Sequence, residues 1–376
     1  MVLIAVWLCM IAIGLLIRNS KKIAFVQVCF IVFMMTFNDG NPDQINFIKL
    51  IDRLTNNPAE IFSGNVGTNL VFYVFSIFGS YHIVAFLIAL CSMIFIYMGT
   101  EFYTSKISLV LSLYMIAPFT IDATQLKNFM AMSVWFFFSK YLFLAYKKEN
   151  VERNTVMYVV GVMLATSLHF SFIFTLLFLV SLVVKAGSKK LFIGYTVTIA
   201  VLCLVMKNAD AIISRLASSV GTYGAYFNFK VGFYKTVSRE YKIQAKREEV
   251  ILFFVVLAFM LVIMLLMGKK KENNNYGKIL LEFSTSLSIV SVIILPFLDY
   301  SMEIYRVQRN LLLLYYVLMA EWIPEKLISK EPQLKVRLSF PYLFAMILSA
   351  FYLYIDTLQG NFGAVFRVLF KYYKYK

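Results

Sequence analysis

The sequence predicts an all-α, polytopic integral membrane protein, on three observations. Hydrophobic residues make up 61% of the chain and aromatics 17%, with a mean hydropathy of +0.76, far above the roughly 45 to 50% apolar share of soluble domains. The apolar residues come in continuous runs of roughly 15 to 22 rather than alternating in and out, which excludes a β-barrel and leaves helices to satisfy the backbone in lipid. Short basic loops separate the runs, as expected where positive charge orients the spans.

The formal net charge of +16 is then mostly the sum of these loop anchors. The remainder suits anionic lipid or a pyrophosphate-bearing substrate, and nucleic acid is not an expected partner. Cys9, Cys29, Cys91 and Cys203 lie inside apolar runs without close spacing, so neither a disulfide framework nor a metal site is expected.

Val2 to Ile17 reads as an uncleaved first span, because its basic residues follow rather than precede it. Arg18, Lys21 and Lys22 place the next loop inside and the N-terminus outside. Ile23 to Phe37 exits. Residues 38–81 form an extracytoplasmic loop that opens on the turn-rich NDGNPDQINF and ends in GTNLVFYVFSIFG, a helix lying at the outer interface. His82 to Met98 returns, Glu101 and Lys106 sit in an inner loop, and Ile107 to Ala117 makes a short span closed by Pro118. Phe119 to Gln125 is an outer loop with Asp122. Lys127 opens the span that reaches Tyr146, and Lys147, Lys148 and Arg153 lie inside.

Thr155 to Val184 is the ambiguous stretch. As one α-helix it is about 45 Å long, too long for a hydrocarbon core of about 30 Å and short for two full spans. A single crossing puts Lys185, Lys189, Lys190 and the later Lys269 to Lys271 outside. Two short helices meeting near His169 keep both clusters inside, and such broken or re-entrant helices need protein or a water-filled cavity around their ends. His169 then marks a polar cavity at the outer face.

Leu191 to Met206 leads out to a large extracytoplasmic loop, residues 207–249. Val250 to Met267 returns, Ile279 to Leu298 exits, and DYSMEIYRVQRN makes a charged outer turn. Arg309 to Trp322 and Leu338 to Ile355 complete about 12 crossings in a single transmembrane domain, residues 1–376, without an internal repeat.

No phosphate-cradling glycine loop, HExxH, CxxC pair or GxSxG elbow is present. What remains is a set of polar residues that the expected topology brings to the outer side: Asp43, Glu60, Lys127, His169, Arg306 and Arg309. Ionisable groups at the edge of apolar runs are costly and pair or line a pathway. Arg309, Arg306 and Lys127 suit a pyrophosphate, since guanidinium forks match phosphate oxygens and fixed positive charge favours a departing diphosphate. His169, Asp43 or Glu60 then serves as the base that deprotonates an attacking sugar hydroxyl. Each residue also has an ordinary reading. Lys127 snorkels, Arg306 and Arg309 pair with Asp299 and Glu303, His169 bonds a carbonyl freed at the break, Asp43 is a turn residue, and Glu60 is a helix cap or an exposed acid. His82, beside Tyr81, reads as interfacial.

Several segments, in this order, resemble the EpsG-type, Wzy-like bacterial polysaccharide polymerases. PDQINF (Pro42 to Phe47) is similar to that family's DYxxY segment, and NPAEIFSGNVGTNLVFYVFSIFG (Asn57 to Gly79) to its glutamate-containing segment before an interfacial helix. QLKNFMAMS (Gln125 to Ser133) resembles its basic-Gln-x-x-Ala opening of a span, ATSLHFSF (Ala165 to Phe172) its A-x-x-F-H-x-S element, and YRVQRNLLLLYY (Tyr305 to Tyr316) its late arginine and tyrosine stretch. Gln44 stands where the family has tyrosine, and Lys127 with Asn128 where it has Arg-Gln.

The resemblance implies a GT-C-like glycosyltransferase, independent of metal and cofactor, at the outer face of the bacterial cytoplasmic membrane. It would join undecaprenyl-pyrophosphate-linked repeat units, with a flippase and a chain-length regulator as partner proteins. The rival expectations are a flippase for lipid-linked saccharide, for which a broken helix is also expected, and an O-antigen ligase-like transferase.

Overall fold

The computed structural model describes residues 2–38, 42–183, 275–291 and 309–322, with single positions at 347, 349–351, 353, 354 and 365. The described residues are all helical apart from turns: eleven α-helices and two 3-10 helices. Expected features that lie outside the described residues are Arg306, the 207–249 loop, and the spans Leu191 to Met206 and Val250 to Met267.

The chain falls into two compact units. The first comprises Met1–Tyr141, Met157–Phe170 and Leu312–Lys376; the second comprises Leu142–Val156 and Ser171–Leu311.

In the first unit, α1 (Val2–Leu16) packs on α6 (Ile107–Ile116), and α2 (Lys21–Thr36) packs on both α5 (Tyr81–Tyr103) and α6. Ser20 caps α2 by accepting from the Ile23 amide at 3.3 Å, which satisfies one orphan donor of the first turn. Every residue of α6 is buried. Its neighbours approach closely: a Cβ at Gly14 of α1 would meet Ser112 and Gln27, and Gln27 Nε2 donates to Ser112 Oγ at 2.8 Å and to the Met10 carbonyl at 3.2 Å. This small residue and this buried amide are what let three apolar helices lie backbone to backbone.

Helices α2 and α5 run antiparallel. Lys21, opening α2, meets Glu101 near the end of α5 at 2.6 Å, while Phe37 past the end of α2 stacks on His82 at the start of α5, centroids 5.8 Å apart. The Glu101 hydrogen bond, and then its charge, hold the exposed Lys21 ammonium above the usual lysine value. The inner loops expected around Lys21 and Glu101 are thus together at one end of the unit. Ser108 Oγ, donating to the Ile17 carbonyl at 2.6 Å, gathers the start of α6 there as well.

α11 (Leu312–Trp322) is buried along nearly its whole length against α6. Tyr316 donates to the Ala117 carbonyl at 2.8 Å, and Lys106 Nζ to the Ala320 carbonyl at 2.8 Å near the end of α11. Lys106, expected as a loop residue, is buried; its ammonium satisfies a terminal carbonyl where the helix dipole is negative. Lys106→Met is expected to destabilise the unit by about 1 to 3 kcal/mol through loss of this charged hydrogen bond, read as a lower thermal midpoint in detergent.

Two of the described helices are long and apolar enough to cross a membrane, α5 with 23 residues and α8 (Leu126–Tyr146) with 21. Leu8, Leu16, Phe25, Phe33, Phe86, Ile94 and Met98 on α1, α2 and α5 are exposed. In water these faces would form an aggregation surface; lipid is the solvent that suits them.

The second unit contains the end of α8 and α10 (Asn275–Ser291). Phe143 and Tyr146 pack on Phe283 at 5.2 and 5.4 Å between centroids. Among the buried hydroxyls of α10, Thr285 bonds back to the Leu281 carbonyl and Ser288 to that of Ser284, each at 2.7 Å, while Ser284 Oγ has no partner among the described residues. Back-bonding of this kind lets Thr285 and Ser288 sit in an apolar surrounding.

Candidate functional site

At the other end of the first unit, remote from Lys21 and Glu101, lie most of the expected polar residues. The polar run after Asn38, expected as turn and loop, is in part an amphipathic helix, α3 (Pro42–Asn56). Phe47, Leu50 and Leu54 are buried at i, i+3 and i+7, the spacing of one helix face. Asp43 in the first turn and Arg53 in the last complement the helix dipole. Asp43 sits one turn before Phe47, on the same stripe.

Phe47 is the hinge of the arrangement. Its ring meets Phe72 of α4 (Val66–Ser76), centroids 5.3 Å apart, and the Lys127 ammonium at the start of α8 stands 5.4 Å from its centroid. Cation–π attraction thus holds the Lys127 amine at the face of α3 that carries Asp43.

α4 in turn reaches the broken helix. One turn before Phe72, Thr68 Oγ1 donates to the Leu168 carbonyl, and Gly67 lies so close to Ser167 that a Cβ would stand 2.9 Å from the Ser167 carbonyl carbon. Leu168 is the last residue of α9 (Val151–Leu168), and a 3-10 helix, Phe170–Leu182, follows. The break falls at His169, the residue expected to mark it. The His169 amide closes the last α turn on Ala165 at 2.8 Å, and His169 is only 7% exposed. Thr68 supplies the donor that a terminal carbonyl of a broken helix lacks.

Glu60 lies in a short 3-10 helix, Pro58–Phe62, between α3 and α4. Its backbone is held: its carbonyl accepts from the Ser63 amide at 3.0 Å and from Asn69 Nδ2 at 3.2 Å. The segment expected as an interfacial helix therefore has a second face. Thr68, Asn69 and Phe72 are buried against α3, the Glu60 loop and the helix break, while Leu70, Val74, Ile77 and Phe78 at its outer side are exposed.

Asp43, Lys127 and His169 are thus joined through one chain of contacts, Lys127 to Phe47 to Phe72, then along α4 to Thr68 and Leu168. Arg309 is buried but belongs to the second unit. His82 stacks with Phe37 and contacts Tyr81, 5.7 Å between centroids.

Two polar residues at this end are buried, which the sequence reading did not expect. Asp122, expected in an outer loop, is fully buried in α7 (Phe119–Thr124), and Tyr114 donates to its Oδ2 at 3.1 Å. The signal was an acid with no other charge between Lys106 and Lys127. Asn128, one residue past Lys127, is buried as well.

The model of the EpsG family matches residues 21–375. The chain belongs to the EpsG family. Membership implies a role in polysaccharide biosynthesis. No curated protein and no solved structure matches the chain. The EpsG match begins at the first residue of α2 and takes in every site residue named above.

Proposed function

We propose that the chain is a polysaccharide polymerase that joins undecaprenyl-pyrophosphate-linked repeat units at the outer face of the bacterial cytoplasmic membrane. The observation that carries this reading is the contact chain from Lys127 through Phe47 and Phe72 to the break at His169. It brings a cation and two groups able to take a proton to one end of an apolar helical unit that belongs to the EpsG family.

In this reading Lys127 holds the donor diphosphate. The acceptor hydroxyl oxygen attacks the anomeric carbon, the bond from that carbon to the diphosphate oxygen breaks, and the proton passes to His169, Asp43 or Glu60. The departing charge stays on that cation, which favours the transition state over the bound substrate. The chain turns at His169, the whole makes about 12 crossings, and the site faces outward, as charge parity of the basic loops requires.

Purified protein given lipid-linked repeat units is expected to lengthen the glycan without ATP or added metal, read as a ladder of products. Chains that stay at one repeat while the substrate binds would overturn the polymerase reading. The break at His169 also favours a second reading, since transporters build central sites from broken helices. Passage of lipid-linked saccharide across vesicles without elongation is the outcome that would select it.

A further inference from the structure

Asn128 lies in the first turn of α8 and is 1% exposed, yet neither its Oδ1 nor its Nδ2 has a hydrogen-bond partner among the described residues. Buried amides are satisfied as a rule, and an orphan marks a place that a ligand or a water completes. Side chains on a helix lean toward its N-terminus, so this amide is directed at the junction between α7 and α8.

A second orphan belongs to the same junction. Asn38, just past the end of α2, is 3% exposed. Its Nδ2 donates to the Ala123 carbonyl of α7 at 3.0 Å, which fixes the amide orientation and leaves Oδ1 without a partner among the described residues. Gln125 caps α7 through its amide on the Asp122 carbonyl at 3.0 Å, and α8 begins at the next residue. Asn38 Oδ1 is thus unmet at the end of α7, and both polar atoms of Asn128 are unmet in the first turn of α8, the next helix, where Asn128 follows Lys127 in the chain.

The kind of atom decides the kind of ligand. The open set is one amide nitrogen and two amide oxygens. An ionised phosphate only accepts, and would leave both oxygens unmet; sugar hydroxyls donate and accept, and two of them meet all three. The helix N-terminus and Lys127 favour an anion next door, so the two requirements fit a sugar carried on a diphosphate.

We propose that Asn128, with Asn38, forms a subsite that reads the hydroxyls of the sugar adjoining the diphosphate. This rests on the reading of Lys127 as the diphosphate ligand. The chain selects its substrate here by the pattern of sugar hydroxyls, while Lys127 binds any lipid diphosphate.

The test uses the full chain in nanodiscs, with bare undecaprenyl pyrophosphate and the same lipid carrying glucose, galactose, N-acetylglucosamine or N-acetylgalactosamine. The wild type is expected to bind at least one glycosylated lipid about tenfold more tightly than the bare lipid, a difference of about 1.4 kcal/mol. Asn128→Leu is expected to erase that difference, leave bare-lipid affinity unchanged and keep or raise the thermal midpoint, since it removes a buried orphan amide. Asn38→Ala gives the same readout should the leucine variant not fold.

Three results overturn the subsite: no preference in the wild type, equal weakening of both lipids by Asn128→Leu, or an unchanged preference, which would mean an enclosed water satisfies the amide. A preference that is lost in the variant, from a protein that never elongates glycan, keeps the subsite and removes the polymerase reading. Absence of any bare-lipid binding removes the diphosphate reading instead.

Discussion

Lys127→Ala is expected to slow glycan elongation by about a hundredfold to a thousandfold, the loss typical when one fixed group that stabilises developing negative charge is removed. The stability effect should be small by comparison. The cation–π contact with Phe47 is worth about 0.5 to 1 kcal/mol at a half-buried position, so the folded protein survives to be assayed. Lys127→Arg restores the charge with a bidentate fork matched to phosphate oxygens and is expected to retain activity or raise it. The measurement is the initial rate of product lengthening at saturating lipid-linked substrate, beside a thermal melt. An alanine variant that elongates at the wild-type rate would show that Lys127 only anchors α8 at the interface.

Gly67→Val is the second large effect. The new side chain would meet Ser167, backbone included, and a helix end cannot yield as a flexible side chain does. Overpacking of this kind costs about 1 to 3 kcal/mol, and relief comes by lifting α4 from the end of α9. The Thr68 bond to the Leu168 carbonyl goes with it. Because misplacing reacting groups by about 1 Å costs about a hundredfold in rate, activity is expected to fall by at least that factor. Thr68→Val removes only the hydrogen bond and should cost about 0.5 to 1.5 kcal/mol, with a milder loss of rate. If Gly67→Val melts lower but elongates normally, α4 does not position the site.

These two positions differ in how they could be read beforehand. Lys127 is legible as a lone cation at the mouth of an apolar run, and the ambiguous length of Thr155 to Val184 points to a break that does fall at His169. Gly67 reads only as a boundary of an interfacial helix, because the Ser167 it packs against is a hundred residues away in the chain. α3 had a signal that the turn-forming residues at its start obscured. Asn38, Asp39, Gly40 and Pro42 read as loop, yet Phe47, Leu50 and Leu54 keep helical spacing and are the buried stripe.

Sequence alone does not decide the burial of Asp122, Lys106 and Asn128, for a common reason. A polar residue beside an apolar run looks the same in sequence whether it faces water or the interior. Its burial depends on partners such as Tyr114 for Asp122 and Ala320 for Lys106.

Local chemistry alone determined that this chain is helical and apolar enough for lipid, where its long run breaks, and which family its motifs resemble. Length, periodicity and charge order are properties of neighbouring residues, and they suffice for those conclusions. Only the tertiary structure decided that α3 and α4 form a bridge from Lys127 to His169, and that Asp122 and Asn128 are interior. Packing and hydrogen-bond satisfaction are set by groups far apart in the chain, and no window of sequence contains both partners.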